Sequence, residues 1–267
     1  MKRVLIAFLF VAACGGGKKP AASGPGDAPT DDGTAGDVPA GTPAPEEVTF
    51  EADDGVTIAG TYYGPGPEAI GCFIFVHQLS STRAEWQPLI DRLRGHTHIL
   101  AFDMRGHGAS TKGPDGPIAW KTFETADWEK VEGDIGKAVE LIEGRRGGPS
   151  ACVLMGSSIG SSAVLRFSGS HPTQVRALVL LSPGIGYRGV MTPDAARTSR
   201  APVLIVHSQE KGAADAAGAL SGIWHDATPP VTVEVIADPG QAHGMKIVNG
   251  DPKILERVVA FLREPPR

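Results

Sequence analysis

The apolar run Ala151-Cys152-Val153-Leu154-Met155 ends on Gly156-Ser157-Ser158-Ile159-Gly160, and a helix-forming stretch follows at 159–169. A strand, a glycine-flanked serine and a helix in that order make a sharp turn that projects the serine hydroxyl from the edge of a sheet. The serine is held in a strained backbone conformation, and only small residues two positions to either side let strand and helix pass so closely. Ser158 is therefore the candidate nucleophile, and the turn demands a helix directly behind a strand.

The rest of the chain repeats that unit. Two short alternating runs, 48–51 and 56–62, flank Asp53-Asp54-Gly55 and predict an opening β-hairpin. Strands are expected at 70–76, 98–102, 151–155, 177–182, 202–207 and 231–236, the first two as continuous apolar runs of the buried type. Trp86, Leu89, Ile90 and Leu93 fall at helical spacing within 84–93, and Val131, Ile135, Ala138, Val139 and Ile142 share one face of 127–142. Further helices are expected at 159–169, 213–223 and 252–262. Such alternation implies an α/β fold: a mostly parallel, doubly wound sheet with helices on both faces, opened by an antiparallel hairpin. In such sheets reactive groups gather at the carboxyl ends of the strands.

Lys2 and Arg3 precede an apolar run at 4–11 and then Ala12-Ala13-Cys14, which reads as a signal peptide over 1–13. The run is too short to span a bilayer. Val11-Ala12-Ala13-Cys14 resembles the lipobox of bacterial lipoproteins, which implies a lipidated Cys14 as membrane anchor and a place in the bacterial cell envelope. Residues 14–46 are rich in Gly, Pro, Ala, Thr, Ser and Asp and bury too little apolar surface to offset their conformational entropy, so they are expected to be a flexible tether. Residues 47–267 then form one domain. A net charge of −5 and a pI near 5.9 leave no electrostatic footprint for nucleic acid. Cys72 and Cys152 lie in predicted buried strands and read as core thiols, although an exported compartment permits a bridge if those strands are neighbours.

Four local patterns, in this order, resemble the α/β-hydrolase superfamily, in particular its lid-less, esterase- and dienelactone-hydrolase-like members. They are Phe75-Val76-His77-Gln78-Leu79, Phe102-Asp103-Met104-Arg105-Gly106-His107-Gly108-Ala109-Ser110, the serine turn, and Gln241-Ala242-His243-Gly244. The resemblance covers nearly the whole domain. It implies Ser158 as nucleophile, His243 as general base, and the backbone N–H groups of Leu79 and Ile159 as oxyanion donors, with no cofactor and no metal. A serine hydroxyl needs such a base to become nucleophilic, and fixed amides meet the developing negative charge. Gln78 departs from the family, where glycine is usual, and either tightens the turn or places an amide side chain against the substrate. His77, His107, Asp103 and Arg105 read as loop-bracing residues.

The orienting acid is expected after strand 202–207, where Lys211 occupies the family's aspartate position. Glu210 is the first choice, since its longer side chain offsets a one-residue shift; Asp215 or no acid at all are the alternatives. Only a short link, 183–200, stands where many relatives carry a helical lid, so an open, shallow site suited to small acyl substrates is expected. Tyr187 is assigned to the substrate rim with Arg188, which attracts carboxylates, or else both belong to a solvated loop. Three readings follow: a lipid-anchored serine hydrolase of small acyl esters or related acyl bonds, a non-catalytic binding lipoprotein on the same scaffold, and an acyltransferase using the same Ser158 and His243.

Overall fold

The structure is a computed structural model describing residues 38–66 and 71–266. The expected signal peptide, Cys14 and the tether as far as residue 37 lie outside the described residues. Residues 38–45, expected within the tether, fold back on the domain: Thr42 bonds Pro39, and a side chain at Gly95, whose φ is +86°, would collide with both.

Glu46–Glu51 (β1) and Thr57–Tyr63 (β2) pair antiparallel, with Glu51 opposite Thr57 across the Asp53-Asp54-Gly55 turn. The six longer strands that follow are Cys72–Val76 (β3), His98–Phe102 (β4), Cys152–Ser157 (β5), Val175–Leu181 (β6), Val203–His207 (β7) and Val233–Ala237 (β8), while the two-residue strands Lys112–Gly113 and Gly116–Pro117 extend the sheet beside β2. All six are parallel, and the spatial order is β8-β7-β6-β5-β3-β4-β2-β1. The chain leaves β4 on one side of β3 and re-enters as β5 on the other, so the strand order reverses between β3 and β5. A crevice opens at the carboxyl ends of the strands at such a reversal.

The period-two alternation of buried strands distributes their side chains to two core layers. Ile74, Val76, Leu100 and Leu154 pack with helices Val131–Arg146 and Ile159–Ser170 on one face. Phe73, Phe75, Val153 and Met155 pack with helices Gln87–Leu93 and Pro252–Arg263 on the other. The last helix starts on Pro252, and the Asp251 side chain accepts the Lys253 N–H at 2.8 Å. Its Val258, Phe261 and Leu262 are buried, each contributing about 1.5–3 kcal/mol relative to exposure.

Two further details correct or sharpen the sequence reading. Because β3 and β5 are neighbours, Cys72 and Cys152 stand 4.7 Å apart at Cα and form a disulfide rather than two core thiols. The short link between β6 and β7 folds as a two-stranded hairpin, Gly186–Tyr187 with Val190–Met191, and a helical turn, Pro193–Thr198. It contains no large lid.

Candidate active site

Ser158 follows the last residue of β5 and adopts φ 55°, ψ −117°, a conformation that L-residues rarely occupy. A side chain at Gly160 would strike the carbonyls of Val76 and His77, and one at Gly156 would strike the backbone of Gly160. Both glycines are thus required by the passage of the helix over β3 and β5. The Ser158 N–H donates to Leu181 O at 2.8 Å, and the Ser161 hydroxyl ties Gly156 O to Leu181 O. Ser158 is left 8% exposed at the mouth of the crevice.

His243 and Glu210 come together from the loops after β8 and β7. Gln209 N–H donates to Gly240 O at 2.9 Å and the Gln241 amide to Gln209 O at 3.0 Å, which joins the two loops. Glu210 meets His243 Nδ1 with both carboxylate oxygens, at 2.6 and 2.8 Å. The carboxylate can only accept, so Nδ1 carries the proton in that bond, and in the neutral ring the lone pair is on Nε2. The one-residue offset from Lys211 is absorbed by the glutamate's extra methylene. Asp215 lies instead in the first turn of helix Ala213–His225.

The backbone beyond the histidine is pinned to the serine turn. Gly244 has φ 58° and ψ −134°, and a side chain there would strike Gln78 and Ser157. Its N–H donates to Ser182 Oγ at 3.0 Å, and Ser182 O accepts the Tyr187 hydroxyl at 3.2 Å. Ser182 is fully buried with φ +46°. Nothing in its sequence surroundings marks it, because its role depends on which loops meet there. Burial raises the Tyr187 pKa, as does the Glu210 charge, while a hydrogen bond with Ser158 draws it down. Tyr187 therefore faces the serine, and Arg188 is exposed beside it. Among the described residues no direct hydrogen bond joins Ser158 Oγ to His243.

Leu79 and Ile159 open the crevice from the β3 and β5 sides. Ile159 is the first residue of its helix, where N–H groups lack intrahelical acceptors and favour negative charge. Among the described residues neither amide has a hydrogen-bond acceptor. Gln78 places its amide in the site, its Oε1 accepting the Ser157 hydroxyl at 3.3 Å. His77 Nε2 accepts the Met104 N–H at 2.9 Å, so Nδ1 is the donor to Gln78 O at 2.7 Å. Burial pulls the His77 pKa down to about 4, which keeps the ring neutral in that role. His107 bonds Arg105 O. Asp103 and Arg105 are separate anchors: Asp103 holds Arg83 and the Ala109 N–H, while Arg105 binds the fully buried Asp134 and Asp54. Among the described residues no cluster of three or more His, Cys, Asp or Glu is arranged to hold a metal.

A family model described as serine aminopeptidase, S33, matches residues 67–211. No curated protein matches the chain by sequence. Among solved structures, esterase Pf2001 of Pyrococcus furiosus superposes with a TM-score of 0.65 at 17% identity, covering 82% of this chain and 92% of that one. The esterase domain of a Rhodothermus marinus protein gives 0.59 at 20% identity over 82% and 98%. An acylaminoacyl peptidase bound to a chloromethyl ketone gives 0.65 at 16% identity over 84% of this chain and 41% of that one. At these identities the structural matches speak for the fold, and the family match extends over more than half of the sequence. With a mostly parallel sheet, an opening hairpin and a serine turn at the strand reversal, the chain is an α/β-hydrolase and belongs to the serine aminopeptidase S33 family.

Proposed function

We propose that the protein is a serine hydrolase that cleaves small acyl esters through an acyl-enzyme on Ser158. The observation that carries this reading is the Glu210 carboxylate on His243 Nδ1, which leaves Nε2 as the nitrogen that can serve as base. Nε2 takes the Ser158 proton as Oγ attacks the ester carbonyl, and the N–H groups of Leu79 and Ile159 receive the oxyanion. Collapse of the tetrahedral intermediate passes the proton from Nε2 to the departing alcohol. Water, activated by the same nitrogen, then releases the acid. The Ser158–His243 hydrogen bond closes when substrate enters, as catalytic hydrogen bonds often tighten only in the complex.

An ester fits better than a peptide N-terminus. An aminopeptidase needs a carboxylate to receive the substrate ammonium, whereas Arg188 sets a positive charge beside Tyr187 at this rim. The short hairpin over the crevice suits small, soluble acyl groups. Export and anchoring through a lipidated Cys14 complete the reading, and the Cys72–Cys152 disulfide suits an oxidising compartment. Gln78 and Tyr187 would contact the acyl group.

A fluorophosphonate probe is expected to label the wild type and not Ser158→Ala, with turnover of p-nitrophenyl acetate exceeding that of alanine p-nitroanilide. Equal labelling of the two proteins would remove Ser158 from the mechanism, and preference for the anilide would reverse the substrate assignment.

A further inference from the structure

The geometry points to Glu85 as a positioning residue for the oxyanion donor at Leu79, an assignment that rests on the hydrolase reading above. Glu85 sits on the 3-10 turn Arg83–Trp86, whose Thr82 cap leads straight out of the loop after β3. Its Oε1 accepts the Gln78 N–H at 3.1 Å. On the other side of the same residue, Gln78 O accepts His77 Nδ1–H at 2.7 Å and the Ser81 N–H at 3.2 Å. Both peptide groups flanking Gln78 are therefore held, the first by Glu85 and the second by His77 and Ser81. The second is the Gln78–Leu79 peptide. A trans peptide is planar, so fixing the direction of Gln78 O fixes the Leu79 N–H in the opposite direction.

His77 alone cannot hold that plane, because rotation about the Gln78 backbone would carry the carbonyl away unless the preceding amide is also tied. Glu85 supplies the tie across a turn whose Ser80 has φ +61°. A left-handed serine is not self-supporting, and such conformations persist where surrounding bonds over-determine them.

The carboxyl is retained at a cost to stability. Its Oε2 is buried with no well-aligned hydrogen bond among the described residues. Buried polar atoms are nearly always paired, and an exception calls for a reason other than folding. Burial raises the Glu85 pKa to about 6, while the Gln78 N–H and the nearby Ser81 pull the other way. The charged residues close by are engaged elsewhere: Arg83 binds Glu47 and Asp103, and His77 is neutral. A group chosen only for stability at this position would be apolar or fully paired. One that must accept an amide N–H with strength is a carboxylate.

The test is steady-state hydrolysis of p-nitrophenyl acetate by the full chain as wild type, Glu85→Ala and Glu85→Gln, across the range from pH 4.5 to 8. Loss of the brace is expected to lower kcat about tenfold to a hundredfold in Glu85→Ala, with KM within about threefold, since the misaligned amide serves the transition state. Glu85→Gln, which keeps an acceptor oxygen, should recover part of that loss and should lose the part of the acid limb in kcat that Glu85 titration near pH 6 adds to the limb the general base leaves in every variant. A kcat within twofold of wild type for both variants, or a Glu85→Gln profile that superimposes on the wild type, would overturn the assignment. If Glu85→Ala does not fold, the Glu85→Gln profile decides alone. Wild type that neither turns over substrate nor takes the fluorophosphonate probe would overturn the hydrolase reading and this assignment with it.

Discussion

The two ends of the sheet are built on opposite terms. At the amino end, β3 and β5 begin with the paired Cys72 and Cys152, Tyr62 bonds the His98 ring at 2.6 Å at the start of β4, and Arg146 binds Gly71 O. At the carboxyl end lie all four non-glycine residues with positive φ among the described residues: Ser80 after β3, Ser158 after β5, and Ser182 and Arg188 after β6. Each costs on the order of 1 kcal/mol or more. Three of the four stand at the candidate site: Ser158 as the proposed nucleophile, Ser80 in the turn that Glu85 is proposed to brace, and Ser182 as acceptor for Gly244 and Tyr187. The covalent staple thus lies where nothing reacts, and the positive-φ residues lie where side chains and amides must point into a crevice.

Removing the staple should produce the largest change. The bridge closes a separation of 80 residues, and loss of its constraint on the unfolded chain is worth about 4 kcal/mol. Cys72→Ala with Cys152→Ala is expected to lower the unfolding free energy by that order while leaving kcat at low temperature within about twofold, because the staple lies at the far end of the strands from Ser158. Denaturant unfolding and initial rates on the same samples check both halves. A large fall in kcat in folded protein would show that the two ends are not independent.

What the sequence disclosed follows the same division. The strands and helices were legible because burial on two faces writes continuous apolar runs, and burial on one face writes a 3.6-residue period. Ser158 was legible because only glycine survives the backbone approach at 156 and 160, and His243 because it follows the last strand in a glycine-containing loop. Even Glu210 could be reached, from the acid position that the family resemblance implies after strand 202–207 together with side-chain length. Hidden were the features that depend on which strands are neighbours. Two cysteines 80 positions apart carry no signal of pairing until β3 and β5 are placed side by side. Ser182 and Glu85 read as an ordinary strand-end serine and an ordinary helix-surface acid, because their partners come from loops distant in the chain or from backbone atoms that have no sequence letter.

A smaller effect separates fastening from function by pH. Glu85 has its folded pKa raised from 4.5 to about 6, so the folded state holds the proton more tightly and wild-type stability falls as pH rises through that interval. The difference in unfolding free energy between Glu85→Gln and wild type should therefore move in favour of the variant by up to about 2 kcal/mol between pH 4.5 and 6.5. His77, on the same turn, runs the other way: its folded pKa is lowered to about 4, and its contribution is complete above pH 6.5 and lost toward pH 4. The cysteine double variant, which removes no titrating group from the carboxyl end, should show a loss that is flat across this range. Urea titrations at three pH values distinguish the slopes; a flat difference for Glu85→Gln would mean that the carboxyl is not under strain.

The smallest effect probes the Ser158 backbone directly. Ser158→Gly and Ser158→Ala both remove the hydroxyl and both should abolish turnover, so they differ only in how they tolerate φ 55°, ψ −117°. Glycine populates positive φ freely, whereas alanine must bear the same steric conflict as serine. Glycine also has more unfolded-state entropy to lose, which offsets part of the gain. The residue of the two is an expected advantage of about 1 kcal/mol for Ser158→Gly over Ser158→Ala in unfolding free energy. The same exchange at Ser168, which is buried inside the helix that Ser158 starts, should favour alanine by a similar amount, because there the backbone is ordinary helix. Opposite signs at 158 and 168, within one helix, would locate the strain at the turn itself; the same sign at both would mean that the turn stores none.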